Sequence, residues 1–124
     1  KQAMPQISEA EWEVMRVLWE KSPQAAEDVV AALEKRADWK PATVKTLLKR
    51  LVAKKAIGYE KNGRRYLYRP LVGEKECVRH ESRSFLDRLF GGSLAAGLAH
   101  FVESGKLSRS EIEELKRILK EKGR

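Results

Sequence analysis

The sequence predicts a mostly α-helical protein with one small β-hairpin. Apolar residues recur at the three- and four-residue spacing of helices in six segments along the chain. One pair of short segments rich in β-branched and aromatic residues flanks Asn62-Gly63, a dipeptide that suits the tight turn of a hairpin. Positive charge is concentrated in residues 40–69, which hold ten Lys or Arg and one acidic residue, whereas the whole chain has a net charge of +8. We therefore expect a helical fold that carries one strongly basic surface.

The first helix is predicted to begin at a capping box. Ser8 is followed three residues later by Glu11, and Ser22-Pro23 ends the helical pattern. The apolar stripe between them is rich in large side chains, which we interpret as core rather than as a chemical site. Its main members are Trp12, Met15, Leu18 and Trp19.

Two further helices are predicted before the hairpin. The second spans about Ala25 to Arg36, with a short apolar face. The third follows Lys40 and has Pro41 in its first turn, where the missing N–H has no intrahelical partner. Its buried face is expected to consist of Val44, Leu47, Leu48, Leu51 and Val52.

The opposite face of the third helix carries small residues near its start and long cationic side chains along its flank. This arrangement suits a helix that enters the major groove of DNA, because short residues permit close approach and long donors reach phosphates and guanine edges. The alternative interpretation is a solvated basic face without a partner. The candidate DNA-binding residues are Lys40, Ala42, Thr43, Lys45, Thr46, Lys49 and Arg50.

The hairpin is predicted from residues 57–61 and 65–69, with Pro70 closing the second strand because it cannot donate to a ladder. Because cations lie at its tip, we favour the interpretation that the hairpin contacts DNA. The alternative is a surface hairpin that only caps the helical core and has the same strand and turn pattern. The order helix, helix, basic helix, hairpin is that of a winged helix-turn-helix domain. Candidate DNA contacts in the hairpin, or wing, are Lys61, Arg64, Arg65 and Tyr66.

Residues 73–124 are predicted to form a separate helical region after a winged-helix domain at 1–72. Three helices are expected, over 74–90, over 93–103 and from a second capping box at Ser108 and Glu111. Each has one apolar face and is too short to form a core alone, so we predict a homodimer. A helical cap folded onto the first domain is the alternative. The predicted dimer contacts are Phe85, Leu86, Leu89, Leu94, Leu98, Phe101, Ile112, Leu115, Ile118 and Leu119.

Several classes of function are not indicated by the sequence. The single cysteine, Cys77, excludes a disulfide within one chain and a zinc site built from several of its thiolates. Cys77 and His80 lie three residues apart on a predicted helix and could share a face, so that with His100 they could bind one metal ion. Three scattered ligands are a weak signal, and the favoured interpretation is a helical thiol and two surface or interface histidines. Neither a Gly-rich phosphate loop nor a nucleophile–histidine pair is visible, so we expect no enzyme, metal or cofactor. No apolar run approaches the roughly 20 residues that span a bilayer. We expect a cytoplasmic protein without membrane insertion.

Three blocks resemble the BlaI/MecI/CopY family of bacterial repressors. They are residues 7–15, residues 43–51 and the segment 60–70, which includes Tyr66-Leu67-Tyr68-Arg69-Pro70. The resemblance implies a dimeric winged-helix repressor on a palindromic operator. In the penicillinase branch a membrane sensor-protease responds to β-lactam, and the repressor is cut before a Phe. The matching pair here is His100-Phe101, in which His replaces the family's Asn. The C-terminal cysteine pairs of the copper-responsive branch are absent from this sequence.

The sequence therefore predicts a transcriptional repressor that binds double-stranded operator DNA and is released by a signal the sequence does not identify. Proteolysis by the membrane sensor-protease, near His100-Phe101, is one such signal. Two alternatives remain open, a nonspecific DNA-binding protein and an adaptor whose winged helix binds another protein. The adaptor would require an exposed apolar face on the third helix, where the sequence has Lys and Arg.

Overall fold

A computed structural model describes residues 4–91 and 93–123, except for the side chains of Phe90 and Leu94. The chain divides into two compact units, Lys1–His80 and Glu81–Arg124. None of the helices in the described ranges is both long and apolar enough to cross a membrane. The elements in chain order are α1 (Glu9–Glu20), β1 (Gln24–Ala25), α2 (Ala26–Ala37), α3 (Pro41–Ala53), β2 (Ile57–Asn62), β3 (Arg65–Pro70), α4 (Glu74–Phe90), α5 (Leu94–Glu103) and α6 (Arg109–Lys122).

The first unit is a winged helix, as predicted. Helices α1, α2 and α3 pack around one core, and an antiparallel sheet of strand order β1-β3-β2 closes one side. In the hairpin Tyr59 lies opposite Tyr68, and Ile57 lies opposite Pro70. The two-residue strand β1 pairs with β3 and was not predicted, because Gln24-Ala25 has neither the length nor the alternation of a strand.

The core of the first unit consists of the apolar stripes that the sequence indicated. One helical face each of α1, α2 and α3 is buried, together with the first residue of β2. Trp12 and Trp19 are half-buried at its edge, with their rings in an edge-to-face arrangement at 5.6 Å. The fully buried large side chains include Val14, Met15, Leu18, Val29, Leu33, Val44, Leu48, Leu51 and Ile57.

Four predicted boundaries differ from the structure by one residue each. The second helix spans Ala26–Ala37 rather than Ala25–Arg36, because Ala25 belongs to β1 and the left-handed Asp38 (φ 53°) is the C-cap. Each hairpin strand is one residue longer than predicted, ending at Asn62 and Pro70. Pro70 is accommodated because it is the last strand residue, where a missing donor costs little.

One acidic side chain of the first unit is buried. Glu11, 1% exposed, accepts a hydrogen bond from the Ser8 backbone N–H at 2.9 Å and one from Lys54 Nζ at 2.5 Å. Lys54 also donates to the Gln6 carbonyl at 2.7 Å, so the end of α3 is joined to the start of α1. Lys54 itself stays exposed, with 36% of its side chain accessible, and its amine reaches the buried carboxylate from the surface.

The ionisation of Glu11 reflects two opposing effects. Burial raises its pKa, whereas the hydrogen bonds and charge of Lys54 and the bonds from Ser8 lower it, and the net result is a pKa below the ordinary value of 4.5. A carboxylate whose pKa is depressed by folding stabilises the folded state above its unfolded pKa. That contribution is lost as the pH falls through the folded value.

The second unit has little buried surface of its own. Gly97 is the only buried residue among those described in 81–123, and α6 buries none of its residues. The predicted capping box of Ser108 and Glu111 is present at the start of α6, and Ser93 caps α5. The division between the two units falls after His80, within the residues of α4, and Cys77 near the start of α4 is buried in the core of the first unit.

We expect Glu11→Gln to lower the free energy of unfolding by about 1–3 kcal/mol at neutral pH, since it removes a charge-assisted bond inside the fold while Lys54 is still able to reach water. The difference between variant and wild type should shrink as the pH falls below 4.5, where wild-type Glu11 takes up its proton. Urea unfolding at several pH values measures both effects. Glu13→Gln, on the more exposed side of α1, is the matched control, and an equal loss in both variants would contradict the assignment.

Candidate nucleic-acid interface

One side of α3 is buried in the core, and its opposite side is therefore exposed to solvent. Val44, Leu47, Leu48 and Leu51 are buried against α1 and α2, which turns the remaining positions of the helix toward solvent. All seven residues predicted for this helix and its N-cap are exposed: Lys40, Ala42, Thr43, Lys45, Thr46, Lys49 and Arg50.

The N-terminal end of α3 is the part with the shortest side chains. Lys40 occupies the N-cap in extended conformation, and no side chain caps the helix. The first-turn N–H groups and the helix dipole therefore add positive potential beside Ala42 and Thr43. Thr46 donates its hydroxyl hydrogen to the Ala42 carbonyl at 3.0 Å, which leaves its oxygen as an acceptor and its methyl group for apolar contact.

The hairpin presents its cations at the turn. Asn62 pairs with Arg65, so the turn residues are Gly63 and Arg64, one position later than the predicted Asn62-Gly63 turn. Gly63 has a φ of +67°, a conformation that suits this tight turn and that a side chain disfavours. Lys61, Arg64 and Arg65 surround this turn and are exposed. The turn is therefore a cationic tip on the same unit as α3.

Three tyrosines cover one face of the hairpin. Tyr59 contacts Tyr66 edge-to-face at 5.0 Å and Tyr68 at 5.9 Å between ring centroids. Burial, followed by the neighbouring phenols of Tyr59 and Tyr66, raises the pKa of Tyr68, so its hydroxyl keeps its proton at neutral pH. The cluster, with Lys45 and Lys49 of α3, lines an open groove between α3 and the hairpin.

Sequence reasoning named Tyr66 in this cluster but missed Tyr59. The signal was available, because side chains alternate between the two faces of a strand and opposite residues share a face. In the observed register Tyr59 lies opposite Tyr68, and Tyr66, two residues before Tyr68, lies on the same face.

Ion pairs divide the ten cations of residues 40–69 into two groups. Lys54 pairs with Glu11, Arg69 with Glu60 at 4.0 Å, and Arg65 with Glu27 at 3.1 Å and Asp28 at 3.7 Å. Within residues 4–91 and 93–123 the other seven have no carboxylate within 4.0 Å. They are Lys40, Lys45, Lys49, Arg50, Lys55, Lys61 and Arg64.

The ion pairs of Arg65 with Glu27 and Asp28 do not prevent Arg65 from binding another anion. Arg65, Glu27 and Asp28 are all more than half exposed, so water and salt screen their attraction. Arg65 is therefore able to exchange these carboxylates for a phosphate. Lys54 is different, because its partner Glu11 is buried and holds it in the fold.

The predicted dimer contacts in the second unit are largely solvent-facing in the single chain. Leu89 and Leu119 are each 58% exposed, and Phe85, Phe101 and Ile118 are also exposed. Leu86, Leu98, Ile112 and Leu115 are half-buried. The side chain of Leu94 lies outside the described residues.

The pair His100-Phe101 lies inside helix α5. The His100 carbonyl accepts from the Ser104 N–H at 3.0 Å, and the Phe101 carbonyl accepts from the Ser104 hydroxyl at 2.8 Å. Proteases bind their substrates in extended form, so this bond becomes accessible only when the end of α5 opens locally.

The three potential metal ligands named from the sequence do not have similar surroundings. Cys77 is buried in the core of the first unit, whereas His80 is exposed on α4 and His100 belongs to α5 of the second unit. Among the described residues no three His, Cys, Asp or Glu side chains are grouped so that they could hold a metal ion.

Comparison with known proteins finds similar sequences among bacterial repressors. A family model described as penicillinase repressor matches residues 7–121. The penicillinase repressor of Bacillus licheniformis is 41% identical over 118 residues, covering 95% of this chain and 92% of that protein. The methicillin resistance regulatory protein MecI of Mammaliicoccus sciuri is 36% identical over 117 residues, covering 94% and 95%.

A solved structure matches the winged-helix part. The solution structure of the monomeric form of Bacillus licheniformis BlaI in complex with the blaP half-operator is 39% identical, with a TM-score of 0.54. The match covers 61% of this chain and 93% of that one. The family model and both sequence matches extend over nearly the whole chain. This chain therefore belongs to the penicillinase repressor family.

Proposed function

We propose that this protein is a dimeric, sequence-specific transcriptional repressor that occupies a palindromic DNA operator. One observation carries the proposal: seven cations have no carboxylate within 4.0 Å among the described residues, and they lie at the N-cap of α3, along it, just after it and on the adjoining hairpin. A surface of this kind binds polyanions, and its helix has the shape of a major-groove reader. The related BlaI bound to a half-operator and the repressors of the family support it.

The N-terminal part of α3 reads bases in this proposal. Thr43 and Thr46 offer a hydroxyl oxygen to a base edge or a methyl group to thymine, and Ala42 permits close approach. Lys45, Lys49 and Arg50 contact phosphates or guanine edges, and Lys40 contacts a phosphate beside the helix N-terminus.

The wing contacts the adjacent part of the duplex. Lys61, Arg64 and Arg65 reach phosphates or the minor groove from the hairpin turn. The major and minor grooves are separated by one sugar–phosphate strand, so the groove between α3 and the hairpin faces that strand. Tyr66 and Tyr68 are then placed to donate hydroxyl hydrogens to a phosphate beside Lys45.

The second unit supplies the dimer contact in this proposal. Apart from Gly97 none of its described residues is buried, and α6 carries an apolar stripe on a charged helix. Apolar faces without a core are stabilised when an identical copy covers them. Two copies related by a two-fold axis place two α3 helices on an inverted repeat.

Release of the operator follows from cleavage at His100-Phe101 in this proposal, by a membrane sensor-protease. Cutting this bond separates α6 from the winged helix and removes half of the dimer surface. Since the bond lies in a helix, the rate depends on local opening of α5. The repressor works in the cytoplasm, where its operator lies, and has no catalytic role of its own.

The adaptor alternative is less compatible with α3. Its exposed residues are small, polar or cationic, and the helix offers a protein partner no large exposed apolar side chain. Nonspecific DNA binding is separated from operator recognition by the following experiment.

We expect the purified protein to retain a two-fold symmetric site from a pool of random duplexes, with affinity falling steeply as salt rises, because each phosphate contact releases counterions. Sequencing the retained DNA at two salt concentrations measures both properties. Retention without sequence preference would indicate a nonspecific binder. No retention at low salt would contradict the proposal and favour the adaptor.

Replacing Lys49 and Arg50 together by Ala should weaken operator binding by about tenfold or more and make the slope of log K against log salt shallower by about two. Both side chains lie off the buried face, so the thermal midpoint should change little. Fluorescence anisotropy over a salt series measures the slope. The control replaces both Lys21 and Lys35 by Ala (K21A/K35A). It removes the same amount of positive charge elsewhere on the first unit and should keep the wild-type slope. Equal slopes in all three proteins would remove α3 from the interface.

Leu115→Glu should produce monomers and weaken binding to the full operator by about 10²-fold, because it places a charge on the apolar stripe of α6 and removes the gain from two linked half-sites. Sedimentation measures the oligomer. Ser110→Glu adds the same charge on the opposite side of α6 and should leave the dimer intact. A Leu115→Glu variant that still sediments as a dimer would exclude this stripe as the interface.

A further inference from the structure

The exposed face of α3 offers many hydrogen-bond donors and few acceptors. The Lys and Arg side chains of this face are donors only. The sequence of α3 contains no Asn, Gln, Asp or Glu, so its side-chain acceptors are the hydroxyl oxygens of Thr43 and Thr46. A base edge that donates a hydrogen bond to a side chain of this helix therefore has to meet one of these two threonines.

The two threonines differ in the hydrogen bonds that their hydroxyl groups already make. Thr46 Oγ1 lies 3.0 Å from the Ala42 carbonyl oxygen. A carbonyl oxygen only accepts, so the hydroxyl hydrogen of Thr46 is committed to this bond within the helix. Among the residues that the structure describes, no hydrogen bond engages the hydroxyl group of Thr43. Thr43 can therefore donate or accept, whereas Thr46 is restricted to accepting.

This restriction persists when a base edge replaces water beside the helix. To donate to a base, Thr46 has to give up its bond to Ala42, so one hydrogen bond is exchanged for another. To accept from a base, it keeps that bond and adds a second one through the free lone pair of Oγ1. A base edge that carries a donor is therefore favoured by the free energy of one hydrogen bond.

We propose that Thr46 accepts a hydrogen bond from an exocyclic amine of the operator, the N6 amine of adenine or the N4 amine of cytosine. These amines are the hydrogen-bond donors of the major groove, whereas N7 of the purines, O6 of guanine and O4 of thymine are acceptors. The inference rests on the proposed function, since it requires α3 in the major groove. It goes further by pairing one side chain with one chemical group of the DNA.

The experiment measures binding of four proteins, wild type, Thr46→Val, Thr46→Ser and Thr43→Val, to single half-site duplexes by fluorescence anisotropy. The half-site is taken from the operator that the wild-type protein selects, and its use keeps the test independent of dimer contacts. In each duplex one adenine is replaced by purine, or one cytosine by 2-pyrimidinone, and both analogues lack the exocyclic amine. Val has the shape of Thr without the hydroxyl group. Thr43→Val is the matched control, because Thr43 is exposed on the same helix one turn earlier.

We expect the wild type to lose about fivefold in affinity at one position of this scan, because one net hydrogen bond is lost there. Thr46→Val should be about fivefold weaker on the unmodified half-site and should lose less than about twofold more at that position. Thr46→Ser should restore the sensitivity to the amine, and Thr43→Val should show the wild-type loss. Weaker base pairing in the modified duplex affects all four proteins alike and cancels in the comparison.

A second analogue separates accepting from donating. The 7-deaza form of the purine in the same base pair keeps the amines and removes the N7 acceptor, so wild type and Thr46→Val should respond to it equally. The inference is overturned if Thr46→Val loses as much affinity as the wild type at every amine-free position, or if it becomes insensitive to loss of N7 instead. Failure of the wild type to bind any half-site would overturn the proposed function.

Discussion

Burial of one face of α3 is the constraint on which the rest of the first unit depends. Val44, Leu47, Leu48 and Leu51 pack against α1 and α2, and this packing alone determines which side chains of the helix meet solvent. The burial of these four residues is worth several kcal/mol, whereas each exposed cation contributes little to stability. The cationic face is therefore free to serve a partner, because the fold does not depend on it.

The buried carboxylate of Glu11 complements this arrangement at the end of α3. It binds the Lys54 amine and joins the end of α3 to the cap of α1, so one of the ten cations becomes part of the fold. Among the described residues, two of the other nine cations have a carboxylate within 4.0 Å and seven do not. Charge counting on the sequence recognises the basic stretch but not this separation, since ion pairs join residues that are distant along the chain.

The two units differ in how much of their apolar surface is buried within a single chain. The first has a continuous core from Ile7 to Cys77, and the second buries only Gly97 among its described residues. Apolar stripes at helical spacing were sufficient to predict both sets of helices, because periodicity depends on local sequence. Whether an apolar stripe is buried within its own chain is decided by tertiary structure. The stripes of α1, α2 and α3 are buried in the first unit, whereas those of the second unit remain largely exposed.

The sequence by itself determined the six helices, the hairpin and the side of α3 that carries the candidate contacts, because capping boxes, helical periodicity and a glycine at the hairpin turn act over a few residues. Tertiary structure alone decided the pairing of Lys54 with Glu11, the pairing of β1 with β3, the clustering of Tyr59 with Tyr66 and Tyr68, and the bond from Trp19 to Val72. Most of these contacts join residues more than 40 positions apart, and which distant residues meet is set by how the helices pack. The tyrosine cluster is the exception, because its three residues belong to one hairpin and only the register of that hairpin brings them together.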